Sequence, residues 1–125
     1  VYKVIKLKVN YMKIEKFEDI IAWQRARELT LSIYKIFKNN KDFGFRDQIQ
    51  RASVSIMNNI AEGFERDTNK EFRHFLFIAK GSCAEVRSML YLALDLKYIN
   101  REQYENYHSL TMETSRLLSG FIKTL

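Results

Sequence analysis

Apolar residues recur at steps of three and four along most of the chain, the spacing that lines one face of an α-helix. Between Asp19 and about Lys38 the stripe is Ile20, Trp23, Ala26, Leu29, Ile33 and Phe37, which predicts a first helix. Asn39, Asn40, Asp42 and Gly44 then break the pattern with residues that favour turns and helix ends. A second helix is expected over Ile49, Ala52, Ile56, Ile60 and Phe64, ending near Gly63. Thr68 stands three residues before Glu71, the spacing of a capping box in which each side chain meets an orphan backbone N–H. A third helix should start there and run to about Leu96, with Phe72, Phe75 or Leu76, Ala79, Cys83, Val86, Leu90 and Ala93 as its core seam. Asn100 and Gln103 resemble a second capped start, and Tyr104, Tyr107, Leu110 or Thr111, Thr114, Leu117 or Leu118, Phe121 and Ile122 continue as a fourth helix. Four helices joined by short loops pack up-down-up-down, so the chain is expected to be an all-α antiparallel four-helix bundle.

The third helix carries more apolar surface than its seam needs. Phe77, Ala84, Met89, Tyr91 and Leu92 lie beside or beyond it, and a helix apolar on nearly every side requires burial on every side. These five residues are therefore the candidate subunit interface, and the chain is expected to form a homo-oligomer.

Composition narrows the class. With 125 residues, 46% of them hydrophobic, the chain can bury one core. The longest apolar runs, Met89 to Leu94 and Phe75 to Ala79, fall far short of the roughly 18 residues a membrane span requires, and no membrane partner is expected. A lone cysteine and the lack of a signal-peptide pattern fit a reducing cytoplasm.

Net charge is +6, but it is unevenly placed: residues 1–16 hold five lysines against one glutamate, whereas the rest is nearly balanced. The 1–16 segment reads either as a basic arm with Val4, Ile5, Leu7 and Val9 interleaved, or as disordered sequence upstream of an alternative start at Met12; the bundle occupies 17–125. Within the bundle, Arg46, Arg51, Arg66, Lys70 and Arg73 are the candidate phosphate contacts, the last three sharing one face by their spacing.

Catalytic chemistry finds little support. Glu71 and His74, with Glu105 and His108, repeat the Glu-x-x-His spacing of di-iron bundles, and Glu28 and Glu62 could be added. In antiparallel helices, however, the two motifs stand roughly 30 Å apart in height, so no metal is expected within one chain. Cys83 lies on the seam with no histidine at helical spacing and reads as core. Gly63 is expected to permit the turn between the second and third helices, and Gly81 to permit close helix contact. No phosphate loop or zinc spacing is present, so neither cofactor nor enzymatic activity is expected.

The segments Phe17 to Ala26, Ala52 to Gly63, Lys70 to Phe72 and Ala79 to Ser82 resemble, in order and spacing, the proteins encoded in intervening sequences of 23S rRNA genes, also labelled S23 ribosomal proteins. Met57 stands where that family usually has proline. The resemblance implies a four-helix bundle assembled as a ring-like homopentamer. The chain is also similar to the accessory variability determinant of diversity-generating retroelements, which implies an adaptor for RNA or DNA, or for a reverse transcriptase. An alternative is a pure protein-interaction module. Trp23, Ser55, Asn59, Glu62, Ser82 and Glu85 of the shared motifs are expected to pack and hydrogen-bond between helices.

Overall fold

The computed structural model describes residues 3–7 and 10–125, with side chains from Ile14 onward. Lys8 and Val9 of the expected basic arm lie outside the described residues. A β-hairpin, β1 (Lys3–Leu7) and β2 (Asn10–Ile14), comes first, paired antiparallel from Lys3↔Ile14 to Leu7↔Asn10. A two-stranded hairpin has marginal stability alone, and Ile14, 1% exposed, anchors this one in the core of the bundle. The bundle consists of α1 (Ile21–Ile36), α2 (Phe43–Phe64), α3 (Asn69–Asp95) and α4 (Arg101–Ile122). Each helix packs on its neighbours in sequence, and α1 closes the square against α4. This leaves α1 and α3 at diagonal corners.

Local chemistry explains each boundary. A 3-10 turn at Phe17–Asp19 precedes α1, where the Phe17 and Trp23 rings meet edge to face at 5.2 Å and Gln24 donates to the Glu18 carbonyl. The Asp42 carboxylate caps α2 by accepting from the Phe45 N–H. Helix α2 runs unbroken through Met57, whose backbone N–H a proline would lack. The Thr68 hydroxyl caps α3 as expected, accepting from the Glu71 N–H, but the return half of the box differs. The Glu71 carboxylate accepts from the Thr68 hydroxyl itself. Asn100 and Gln103 complete the full reciprocal box on α4. At the end of α3, Lys97 adopts φ 61°, the Tyr98 N–H reaches the Ala93 carbonyl and the Lys97 N–H reaches the Leu94 carbonyl. This is a Schellman closure with lysine where glycine is usual.

The expected seams are buried: Leu29 and Ile33 on α1, Ile49, Ile56 and Ile60 on α2, Phe72, Leu76, Val86 and Leu90 on α3, and Leu118 on α4. Aromatic rings close both ends of the bundle. Phe37, Phe45 and Tyr98 stack edge to face at one end, and Phe64, Phe72 and Phe121 at the other. Neither glycine has its expected role. Gly63 sits inside α2 where that helix nearly touches α3, while Gly81 faces open space with no atom within 4 Å of where its Cβ would be.

Candidate interaction site

A line of polar side chains joins α2 to α3. Ser55 and Ser82 place their hydroxyl oxygens 2.8 Å apart, and the Asn59 amide donates to both the carbonyl and the hydroxyl of Ser55. Two turns earlier on α2, Gln48 donates to the Glu85 carboxylate. Glu62 receives the Arg66 guanidinium at 2.8 Å. Ser55, Asn59 and Ser82 thus spend their hydrogen bonds on one another, as polar groups buried or half-buried between helices must, while the exposed Glu62 and Glu85 pair with Arg66 and Gln48 at the surface. Trp23 instead packs on Phe17, with the Arg27 guanidinium 5.8 Å from its ring centre.

Cys83 is buried against this seam, and burial pushes its thiol up to about 12, only partly opposed by nearby Arg87. At neutral pH it is a protonated, inert side chain. The two Glu-x-x-His motifs lie far apart, as antiparallel packing requires: the His108 ring meets the Tyr91 ring at 5.9 Å, and Tyr91 is 17 residues along α3 from His74. Among the described residues no three His, Cys, Asp or Glu side chains converge on a point where a metal could sit.

The five candidate phosphate contacts divide between positions on the bundle. Arg66, Lys70 and Arg73 cluster around the α2–α3 turn, where Lys70 and Arg73 line a shallow depression with His74 and Phe77. The Arg66 guanidinium lies 4.7 Å from the Phe75 ring centre while paired with Glu62. Arg46 belongs to the opposite end, over the Phe43 ring and beside Asp47. Arg51 lies exposed on α2 between them.

The apolar strip on α3 is open along most of its length. Phe77 and Tyr91 are each 53% exposed, Ile78 and Leu92 are also exposed, and Gly81, Ala84 and Ser88 lie between the two bulky pairs. Met89, expected in this strip, belongs instead to the chain's own core at 8% exposure. Its spacing of three from Val86 and four from Ala93 turns it onto the seam. Sequence reasoning also left unmarked the exposed Ile21, Leu31 and Tyr34 on α1, which stand among exposed Gln24, Arg27, Glu28 and Lys35. Because these residues alternate with the core positions Ala22, Ile33 and Phe37, they read in sequence as one wide stripe.

The geometry therefore defines a class: an antiparallel four-helix bundle whose Ser55–Asn59–Ser82 cluster is structural and whose α3 carries exposed apolar residues on its outward side. A family model described as 23S rRNA-intervening sequence protein matches residues 18–120. A crystal structure of a protein with unknown function from the S23 ribosomal protein family, from Bacteroides thetaiotaomicron VPI-5482, is similar. It is 32% identical with a TM-score of 0.77, over 82% of this chain and 99% of that one. No curated protein matches the sequence. The chain belongs to the 23S rRNA-intervening sequence protein family, and its β-hairpin lies outside the matched span.

Proposed function

We propose that this chain is a non-enzymatic, homo-oligomeric bundle that acts in the cytoplasm as an adaptor for nucleic acid or for an enzyme that works on it, such as a reverse transcriptase. The observation that carries the assembly is the open face of α3, where the exposed pairs Phe77 with Ile78 and Tyr91 with Leu92 flank the small residues Gly81, Ala84 and Ser88. Such a face marks an interaction surface where a scattered exposed leucine does not. A ring of five follows the sequence resemblance to pentameric relatives. The non-enzymatic reading is supported by the Ser55–Ser82 pair between α2 and α3, by Asn59, engaged with Ser55 within α2, and by the protonated Cys83.

Nucleic-acid contact is supported by the Arg66, Lys70 and Arg73 cluster, which a symmetric assembly would repeat around a rim. A second reading, a protein-interaction module with no nucleic acid, is favoured by Arg66, already held by Glu62 and Phe75. Light scattering with a mixed RNA and DNA pool at about 50 and about 200 mM salt separates the two, because phosphate contacts weaken steeply over that range. The adaptor reading expects an oligomer whose mass shifts with nucleic acid at low salt, and loss of that shift in Arg66→Glu with Lys70→Glu. An oligomer without any shift establishes the protein-only module, and a monomer removes both.

A further inference from the structure

We infer that the β-hairpin is a basic arm that holds a single strand of nucleic acid at the end of the bundle where α2 turns into α3. This deepens the nucleic-acid reading above and rests on it. The bundle alone is nearly balanced in charge and attracts a polyanion weakly. The hairpin, from Lys3 to Ile14, contains four lysines and no acid, and so supplies four of the six net positive charges. It precedes the span matched by the family model, so this charge is an addition to the shared fold.

Register sorts the hairpin residues onto two faces. Side chains alternate along a strand, and directly opposed residues of an antiparallel pair share a face. The pairs Lys3↔Ile14, Ile5↔Met12 and Leu7↔Asn10 fall on one face, and the pairs Val4↔Lys13 and Lys6↔Tyr11 on the other. The first is mainly apolar and is the face that Ile14 commits to the core. The second carries two lysines and a tyrosine. Lys6 and Lys13 take diagonal positions on the two strands, roughly 7–8 Å apart, with Tyr11 opposite Lys6 and two residues from Lys13. Cations flanking an aromatic ring on one face suit a single strand, whose phosphates meet the ammonium groups while an unpaired base stacks on the ring. Lysines on edge strands also discourage edge-to-edge pairing, but that role needs neither a common face nor a tyrosine beside them.

The fold sets this arm near further cations. From Ile14 the chain passes through the Phe17–Asp19 turn, which packs on α1 and α2, into the start of α1. Because neighbouring helices run antiparallel, α1 starts at the end of the bundle where α2 stops at Phe64 and α3 begins at Asn69. Lys70 and Arg73 are exposed there, and neither has an ion-pair partner among the described residues. Exposed Glu65, Asp67 and Glu71 stand close by in sequence, so this end has little net field of its own, and the hairpin makes it positive. A strand laid on the hairpin has Lys70 and Arg73 at the same end of the molecule for its further phosphates.

Fluorescence anisotropy on the full chain tests this with a labelled single-stranded oligonucleotide of about 12 nucleotides, within the span one such surface covers, and with the duplex of the same sequence. Lys6→Gln with Lys13→Gln is expected to weaken single-strand binding by about ten-fold or more at about 0.1 M salt. It should also reduce the slope of log affinity against log salt by about 1.4, at about 0.7 per phosphate contact. Lys38→Gln with Lys41→Gln removes the same charge from the opposite end of the bundle and is expected to bind like the wild type. Tyr11→Ala is expected to weaken the single strand by about five-fold or more and to leave the duplex nearly unchanged, while Tyr11→Phe, which keeps a ring, binds as the wild type does. Unchanged affinity and slope in the Lys6 and Lys13 variant overturns the hairpin site and leaves the nucleic-acid reading standing. Equal losses in the Lys38 and Lys41 variant also overturn it, because binding then follows net charge alone. A Tyr11→Ala chain that binds the single strand like the wild type overturns the stacking and with it the choice of a single strand. A wild type that binds neither oligonucleotide removes the nucleic-acid reading as a whole.

Discussion

A Cβ on Gly63 would stand 2.7 Å from the Cβ of Phe75 and 3.3 Å from the Phe72 carbonyl oxygen. Neither is the tip of a flexible side chain, so α2 and α3 would have to separate. Overpacking of this kind costs about 1–3 kcal/mol, more than the roughly 1 kcal/mol that alanine gains over glycine in a helix. Gly63→Ala is expected to lower the urea midpoint. Gly81→Ala, in open space on α3, is expected to raise it by about 0.5–1 kcal/mol, and the opposite signs of the two changes are the check.

The Ser55 and Ser82 hydroxyls answer each other across the same seam. Ser55→Ala strands Ser82 and removes one acceptor of Asn59, and should destabilise by about 1–2 kcal/mol. Ser55→Ala with Ser82→Ala should lose clearly less than the sum of the single changes, because the second change removes the stranded group. Equilibrium denaturation of the four-member cycle measures the difference.

Tyr98 links the end of α3 to the start of α2 by donating to Asp42 at 2.6 Å. That bond, together with the Phe45 N–H, holds the Asp42 carboxyl below its usual 3.8. A folded-state pKa lowered in this way gives stability that is present above the unfolded value and lost as pH falls through the folded one. The wild type is therefore expected to lose stability more steeply than Tyr98→Phe below about pH 4. Thermal melts from neutral pH down to about pH 3 would show the two curves converging.

Cys83 should resist alkylation in the native state. With its thiol near 12, the thiolate fraction at about pH 8 is roughly a thousand-fold below that of a free cysteine. Iodoacetamide labelling followed by mass spectrometry should track unfolding, rising only where urea opens the bundle.

Lys97 occupies the left-handed region that disfavours a Cβ. Lys97→Gly keeps both closing hydrogen bonds and should stabilise the chain by about 1 kcal/mol, read as a higher melting midpoint.

The helices and their caps were legible because periodicity and capping chemistry are local: Thr68, Asn100 and the α4 stripe act within a few residues of themselves. What spacing cannot convey is how near a neighbouring helix comes. Gly63 and Gly81 both lie in helical patterns, and only the approach of Phe75 to one of them separates their roles. Met89 illustrates an angular limit: it lies one position from the core residue Leu90 and two from the open Tyr91, so apolar character alone could not assign it. The basic cluster was legible as the three-and-four spacing of Arg66, Lys70 and Arg73. The removal of Arg46 to the far end follows from the length of α2, which puts Arg46 about 30 Å from Arg66 at 1.5 Å per residue.

The buried threonines of α4 satisfy themselves. Thr111 donates to the Tyr107 carbonyl and Thr114 to the Leu110 carbonyl, each within its own helix. On the α2–α3 side the serine pair ties two helices at one height, so axial displacement there would break hydrogen bonds. Between α3 and α4, Arg87 donates to the Met112 sulfur, a weak acceptor on a pliable side chain, and Tyr91 hydrogen-bonds Tyr104. The serine pair therefore sets the axial register of α2 against α3, while α4 is tied to α1 by Arg25 donating to Glu113 and to α3 by Arg87 and the Tyr91–Tyr104 pair.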